Sequence, residues 1–348
     1  MERNYTKIYF LGIGGIGMSA LARYYMHEGY RVAGYDRTAT PLTRALEAEG
    51  AEVHYEDDIN LIPEDMRSAE DTLVILTPAI PADHMEWAWL RERGFHIEKR
   101  SQILGHISEG KLCMAVAGTH GKTTTSTLAA WLNHAAAKEG SAILGGVSRN
   151  FNSNLSLGEG KRLVVEADEY DRSFLRLHPN VAVITAADAD HLDIYGTAEA
   201  VKEAFEEFAS QIKEGGALIL KQGVELKFDT ASRSLYRYSC DNGGDFHAEN
   251  IALIEDGHYR YDIVLPDGRI EGCTLGILGK VHIENSVAAV AMLWCAAKIE
   301  NKPFDKEAVK EALRSFEGVK RRMEVYINTP KLVYIDDYAH HPEELRAT

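Results

Sequence analysis

The octapeptide Gly118-Thr119-His120-Gly121-Lys122-Thr123-Thr124-Thr125 closes the apolar run KLCMAVAG (Lys111 to Gly118) and opens a helix-forming stretch from about Lys122 to the neighbourhood of Lys138. A strand, a glycine turn and a helix in that order make a phosphate cradle. Glycine lets backbone N–H groups come close, and the helix N-terminus adds partial positive charge. Lys122 is placed to neutralise the β and γ phosphates of a nucleotide such as ATP, and the Thr123 hydroxyl to ligate Mg2+. The spacing departs from GxxxxGK[ST], because Val116 stands where the first glycine would be. A ligand-free turn is the alternative. The run of hydroxyls from 123 to 127 weighs against it, since threonine is a poor helix former.

Working outward, Gly12-Ile13-Gly14-Gly15-Ile16-Gly17 follows another apolar strand, and Asp36 ends the next one nineteen residues beyond Gly17. This matches a dinucleotide fingerprint: a tight turn, a close approach to a diphosphate and an acid for a ribose hydroxyl. Alone it describes an NAD-dependent oxidoreductase. It reads a diphosphate, however, and any nucleotide-diphosphate conjugate suits it. Glu166, Asp168, Glu169 and Asp171 gather at the end of the strand RLVVEAD, and His191 follows the run VAVITAAD. Strand C-termini converge in a parallel sheet, so these groups face one magnesium region, with solvated loop acids as the alternative. Lys320-Arg321-Arg322 and Asp336-Asp337-Tyr338-Ala339-His340-His341-Pro342 concentrate further polar chemistry. Arginine suits phosphate oxygens and aspartate suits ribose hydroxyls. A solvated basic face and a metal-binding Asp/His loop are the alternatives there.

The 348 residues have room for two or three domains with real cores. Over the first hundred, short apolar runs alternate with amphipathic stretches, which predicts a parallel α/β sheet in a Rossmann-like domain, 1–106, ending in the polar segment EKRSQILGHISEG. A central P-loop ATPase-like α/β domain, 107–325, takes strands at 162–168, 181–188 and 217–221 and a helix near 198–213. Asp-Gly turns between Ser234 and Gly276 predict a small antiparallel sheet, followed by helices at Ile283 to Ile299 and Lys306 to Phe316. The strand and loop KLVYIDDYAHHPEELRAT then begin a third, Rossmann-like domain at 326–348, cut near its start. Lys plus Arg number 38 against 53 Asp plus Glu, a net charge of -15 that excludes nucleic acid and anionic membranes as partners. With 45% hydrophobic and 26% charged residues the composition is that of a soluble globular protein. The four cysteines form no CxxC pair and read as reduced thiols, and neither a leader nor a membrane-length apolar run is present, so a cytoplasmic protein is expected. Oligomeric state is not legible.

In chain order, GIGGIGMSALA, AGTHGKTTT, EADEYDRSFL, ADHLDIYG, FEGVKRRME and DDYAHHP resemble the Mur ligases over essentially the whole chain. The resemblance implies three domains: one for a UDP-sugar, a central ATPase-like one, and a C-terminal one that closes over the nucleotide and helps bind an amino acid. It implies ADP-forming ligation of L-alanine to the lactyl carboxylate of UDP-N-acetylmuramate, through an acyl phosphate, in peptidoglycan synthesis. The recycling ligase that attaches a tripeptide is the alternative within the family. On this resemblance Gly12, Gly14, Gly15 and Gly17, with Asp36, Thr77 and Pro78, hold the UDP-sugar instead of NAD. Gly118, Thr119, His120, Gly121, Lys122, Thr123 and Thr124 hold ATP, and Glu166 and His191 join Thr123 on Mg2+. Asn285 contacts adenine, Arg322 the nucleotide phosphates, Asp337 the ribose, and His340 or His341 the reacting end of the substrates. The family pattern GxHNxxN is altered here, with Val281 and His282 at the inner positions. Because the family continues well past DDYxHHP, the chain as it stands is expected to bind nucleotide or UDP-sugar and to turn over poorly.

Overall fold

In the computed structural model, residues 5–188, 192–241, 243–254, 257–340 and 345 are described. The chain divides into two compact units, Met1–Ile107 and Ser108–Thr348.

The first unit alternates β1 (Lys7–Leu11), α1 (Ile16–His27), β2 (Arg31–Tyr35), α2 (Pro41–Glu49), β3 (Glu52–His54), β4 (Thr72–Leu76), α3 (Met85–Glu92), β5 (His96–Lys99) and α4 (Arg100–Ser108). The five strands are all parallel, in the order β3-β2-β1-β4-β5. The chain therefore reverses its direction of travel across the sheet between β1 and β4. A crevice opens at the strand C-termini at such a point. Within the segment expected to be a polar boundary, residues 100–108 form helix α4, because Ile103 and Leu104 are buried on one face.

The second unit carries β6 (Leu112–Ala117), α5 (Lys122–Ala135), β7 (Ser141–Ser148), β8 (Ser153–Ser156), β9 (Arg162–Glu166), β10 (Val181–Ile184), α6 (Leu192–Tyr195), α7 (Ala198–Ser210), β11 (Ala217–Lys221) and β12 (Ser234–Tyr238). These strands form one sheet in the order β12-β11-β10-β6-β9-β7-β8, parallel except for the β7–β8 pair. After it come β13 (His247–Leu253), β14 (Tyr259–Leu265), β15 (Gly268–Thr274), α8 (Val281–Ile299), α9 (Lys306–Arg314) and the hairpin β16 (Glu324–Thr329) and β17 (Leu332–Asp336). The small antiparallel sheet is β13-β14-β15. It starts later than the sequence suggested, since Ser234–Tyr238 pairs parallel with β11 and extends the large sheet instead. Apolar residues line every side of α8, whose buried stretch runs from Ser286 through Ala297. A helix apolar all round has to be enclosed, and α8 packs in one core with the large sheet, α5 and the small sheet.

Candidate active site

The glycine loop of the second unit joins β6 to α5 at the point where β6 lies between β9 and β10. Gly118 has φ +131° and Gly121 φ +78°. A Cβ on Gly118 would run into the Thr185 hydroxyl and lie 2.8 Å from the backbone nitrogen of Ala186, so the loop needs glycine for space as well as conformation. No side chain caps α5, and no acid occupies its first turn, which leaves the leading N–H groups to an anion. The Lys122 Nζ donates to the Gly118 carbonyl and to Glu169 Oε1, each at 2.8 Å. Glu169 is buried, and burial pushes its carboxyl up while Lys122 pulls it down.

Thr123 Oγ1 donates to Glu166 Oε1 at 3.2 Å, and Ser126 Oγ to Glu166 Oε2 at 3.3 Å. Protein crowds Glu166 closely enough to raise its carboxyl above the ordinary range although part of its surface stays open; Lys122 opposes the rise. This all-oxygen pair fits a hard cation such as Mg2+, which draws most of its ligands from phosphates and water. Among the described residues no group of three or more His, Cys, Asp or Glu forms a self-sufficient metal cage. Of the other acids singled out in the sequence, Asp168 Oδ1 accepts from the Tyr170 N–H and so shapes a turn. His191 and His341 lie outside the described residues.

A cavity of about 370 Å³ opens beside the loop. It brings together His120, Gly121 and Thr124 from the loop, Asn285 from α8, and Arg322 and Asp337 from the far end of the chain. His340 does not line this cavity; its ring nitrogen sits 2.9 Å from the Tyr338 carbonyl. The Arg322 guanidinium lies 5.3 Å from the centre of the Tyr338 ring, and Asp337 Oδ1 accepts from the Ala339 N–H at 3.1 Å. Two partners of the loop escaped the sequence reading, Ser126 under Glu166 and Glu169 on Lys122. The second was visible as an acid in the quoted cluster, but not as the partner of a lysine 47 positions earlier.

In the first unit, Gly12 has φ +88° and its missing Cβ leaves room for the Thr77 methyl. Thr77 thus borders the loop from the end of β4, and Pro78 beside it is exposed. Asp36 turns into the loop: Oδ2 accepts from the Gly14 N–H at 2.8 Å and Oδ1 from the Thr38 N–H at 3.2 Å. Gly15 and Gly17 flank the start of α1, which also lacks a side-chain cap and any acid in its first turn. A cation that the sequence reading missed stands here, with Arg100 Nη1 2.9 Å from where a Cβ on Gly17 would be. The signal for it was a basic residue directly after the strand HIEK.

Two glycine loops, each at a reversal point of a parallel sheet and each opening an uncapped helix, define an α/β protein with two helix N-termini left open at strand ends. The Mur ligase family model for the catalytic domain matches residues 7–112, and the model for the Mur ligase middle domain matches residues 116–293. The chain belongs to the Mur ligase family. It is 47% identical to a UDP-N-acetylmuramate–L-alanine ligase of Parabacteroides distasonis, over 98% of this chain and 73% of that protein. Identity is also 47% to the enzyme of the same name from Phocaeicola vulgatus, over 99% of this chain and 74% of that one. The crystal structure of UDP-N-acetylmuramate–alanine ligase from Thermotoga maritima superimposes with a TM-score of 0.83 at 28% identity, covering 98% of this chain and 76% of that chain.

Proposed function

We propose that this chain catalyses ATP-dependent ligation of L-alanine to the lactyl carboxylate of UDP-N-acetylmuramate, the step of peptidoglycan synthesis named by its relatives. The reading rests most heavily on one observation: a cavity beside the glycine loop gathers His120, Gly121 and Thr124 of that loop with Asn285, Arg322 and Asp337 from distant parts of the chain, while Lys122 and Thr123 of the same loop meet Glu169 and Glu166. The identity of 47% to enzymes of that name supports the choice of substrates.

A carboxylate is a poor electrophile, so it has to be activated before an amine can attack it. In the proposed path the γ-phosphoryl group passes to a carboxylate oxygen, giving an acyl phosphate and ADP. The alanine nitrogen, as the free amine, attacks the carbonyl carbon, phosphate leaves with the electron pair of its C–O bond, and the proton lost from nitrogen passes to the departing phosphate or to water. Phosphoryl transfer asks for positioning and charge neutralisation more than covalent work. Lys122 would leave Glu169 for the β and γ phosphates, the N–H groups of the loop and α5 would bind phosphate oxygens, and Arg322 would add charge. Thr123 and Glu166, with His191, would hold Mg2+, which neutralises phosphate charge when bound. His120, Gly121 and Thr124 would border the nucleotide, Asp337 would take its ribose, and His340 or His341 would meet the reacting end of the substrates. In the first unit, Gly12, Gly14, Gly15 and Gly17 with Thr77 and Pro78 would receive the UDP-sugar, with Arg100 on its diphosphate. Asp36, already engaged with Gly14, would act by holding the loop.

Among the described residues no helix is long and apolar enough to cross a membrane, and Cys113, Cys273 and Cys295 are buried free thiols. A cytoplasmic site of action, feeding cell-wall growth and division, fits this reading. The chain spans about three quarters of the length of the curated relatives it matches, and it is proposed to bind both nucleotides. Calorimetric titration tests the assignment. UDP-N-acetylmuramate and Mg-ATP should each bind once, and Lys122→Ala should abolish only the second. Binding of NAD in place of UDP-N-acetylmuramate would overturn it, as would ATP binding indifferent to Lys122.

A further inference from the structure

His282 sits in the first turn of α8, where its ring lines the cavity beside the phosphate loop. Its protonation pattern follows from a chain of hydrogen bonds. Thr125 Oγ1 donates to Asn285 Oδ1 at 3.3 Å, with the amide oxygen turned toward the hydroxyl. Asn285 Nδ2 then faces His282 Nδ1 at 3.3 Å and donates to it. A neutral imidazole that accepts at Nδ1 carries its proton on Nε2. Burial keeps the ring neutral at physiological pH by pushing its pKa down to about 4. Nε2 is closed off from solvent and has no hydrogen-bond partner among the described residues. Beside it lies Gly279, where a Cβ would stand 3.4 Å from the ring's Cδ2 and 3.5 Å from the Met323 methyl.

We propose that His282 supplies the donor that reads the nucleotide base in this chain, its Nε2–H bonding an acceptor nitrogen of the purine ring, while Asn285 serves to orient it. The inference rests on the reading of this cavity as the ATP site and goes beyond it. A buried donor without a partner is rare in folded proteins, and a ligand that arrives with an acceptor explains its retention. Purines carry ring nitrogens that accept and do not donate. The resemblance put the base contact on Asn285, but that side chain already spends its oxygen on Thr125 and one N–H on His282. Tyr238, Val281 and Met323 wall the same cavity and offer apolar surface to a planar base.

The test is a matrix of affinities measured on the whole chain with Mg2+ present: ATP, its 1-deaza, 3-deaza and 7-deaza analogues, and inorganic tripolyphosphate, against the unaltered protein and His282→Phe. The unaltered protein should bind one deaza analogue about tenfold more weakly than ATP. His282→Phe should bind ATP about tenfold more weakly, show no further penalty for that analogue, and bind tripolyphosphate unchanged. His282→Gln, which keeps a donor, should recover part of the loss and covers the case in which the phenylalanine variant fails to fold. Equal binding of all three analogues by the unaltered protein would overturn the proposal, and so would a penalty that persists in His282→Phe. If the unaltered protein binds neither ATP nor tripolyphosphate, the underlying ATP reading has failed as well, an outcome distinct from loss of base recognition alone.

Discussion

Keeping an imidazole neutral inside a protein costs stability wherever the unfolded chain would protonate it. With an ordinary value of 6.5 and a folded value of about 4, His282 contributes fully above 6.5, and its contribution is lost as pH falls toward 4. The difference corresponds to about 3 kcal/mol over that window. Urea unfolding at a series of pH values should therefore show a steeper loss for the unaltered protein than for His282→Phe, and parallel curves would refute the assignment of a buried neutral ring. A second residue-scale consequence concerns Gly118. Alanine there must hold a positive φ and push its Cβ into Thr185 and the backbone of Ala186. Strain of this kind costs on the order of 1–3 kcal/mol. Gly118→Ala should lower the urea midpoint of the second unit accordingly and weaken ATP binding with it. An unchanged midpoint would mean that the loop is free to move away from β10.

At the level of elements, the helices sort by how their N-termini are finished. Thr40 caps α2, His84 caps α3, Thr197 caps α7 and Asp305 caps α9, each by accepting a backbone N–H. The helices after the two glycine loops, α1 and α5, have no such cap, nor does α8 beside the cavity. Open N–H groups and a neighbouring lysine make α5 the element that an anion would stabilise most. Tripolyphosphate at about a hundred times its Kd should stabilise by about 2.7 kcal/mol, roughly 5–10 °C in Tm for a unit of this size. Lys122→Ala should lose most of that shift, which scanning calorimetry would show; an equal shift in both proteins would place the anion elsewhere. These helices were legible in advance because strand, glycine and helix stand together in the sequence. The β7–β8 pair was not, since Ser141–Ser148 contains two glycines and Ser153–Ser156 is short and polar, so neither has strand periodicity. Nor was the pairing of Ser234–Tyr238 with β11, which depends on where the chain returns rather than on its composition.

At the scale of the whole molecule, what the residues alone could not reveal is assembly over long separations. Lys122 and Glu169 were each visible, but their ion pair was not, and Asn285, Arg322 and Asp337 were joined to the glycine loop only through a family resemblance. Local patterns specify local chemistry, whereas convergence is set by sheet order. The same logic separates the two cradles, since each is completed within its own unit: Arg100 closes on Gly17 in the first, and Glu166 and Glu169 on the phosphate loop in the second. Variants in one should leave the other's ligand untouched. Arg100→Gln removes a cation from the start of α1, and losing one charge-assisted hydrogen bond costs about 1.5–3 kcal/mol, a ten- to hundredfold weaker Kd for UDP-N-acetylmuramate. Gly17→Asp puts a carboxylate in the first turn of α1, where the helix dipole favours it and the flexible Arg100 side chain moves aside for its Cβ, but a diphosphate would be repelled. It should fold normally and lose UDP-N-acetylmuramate almost entirely. Both proteins should bind Mg-ATP with unchanged affinity when titrated in a calorimeter. If either substitution weakens ATP tenfold, the two sites are not independent. If neither affects the UDP-sugar, the glycine loop after β1 is not where its diphosphate lies.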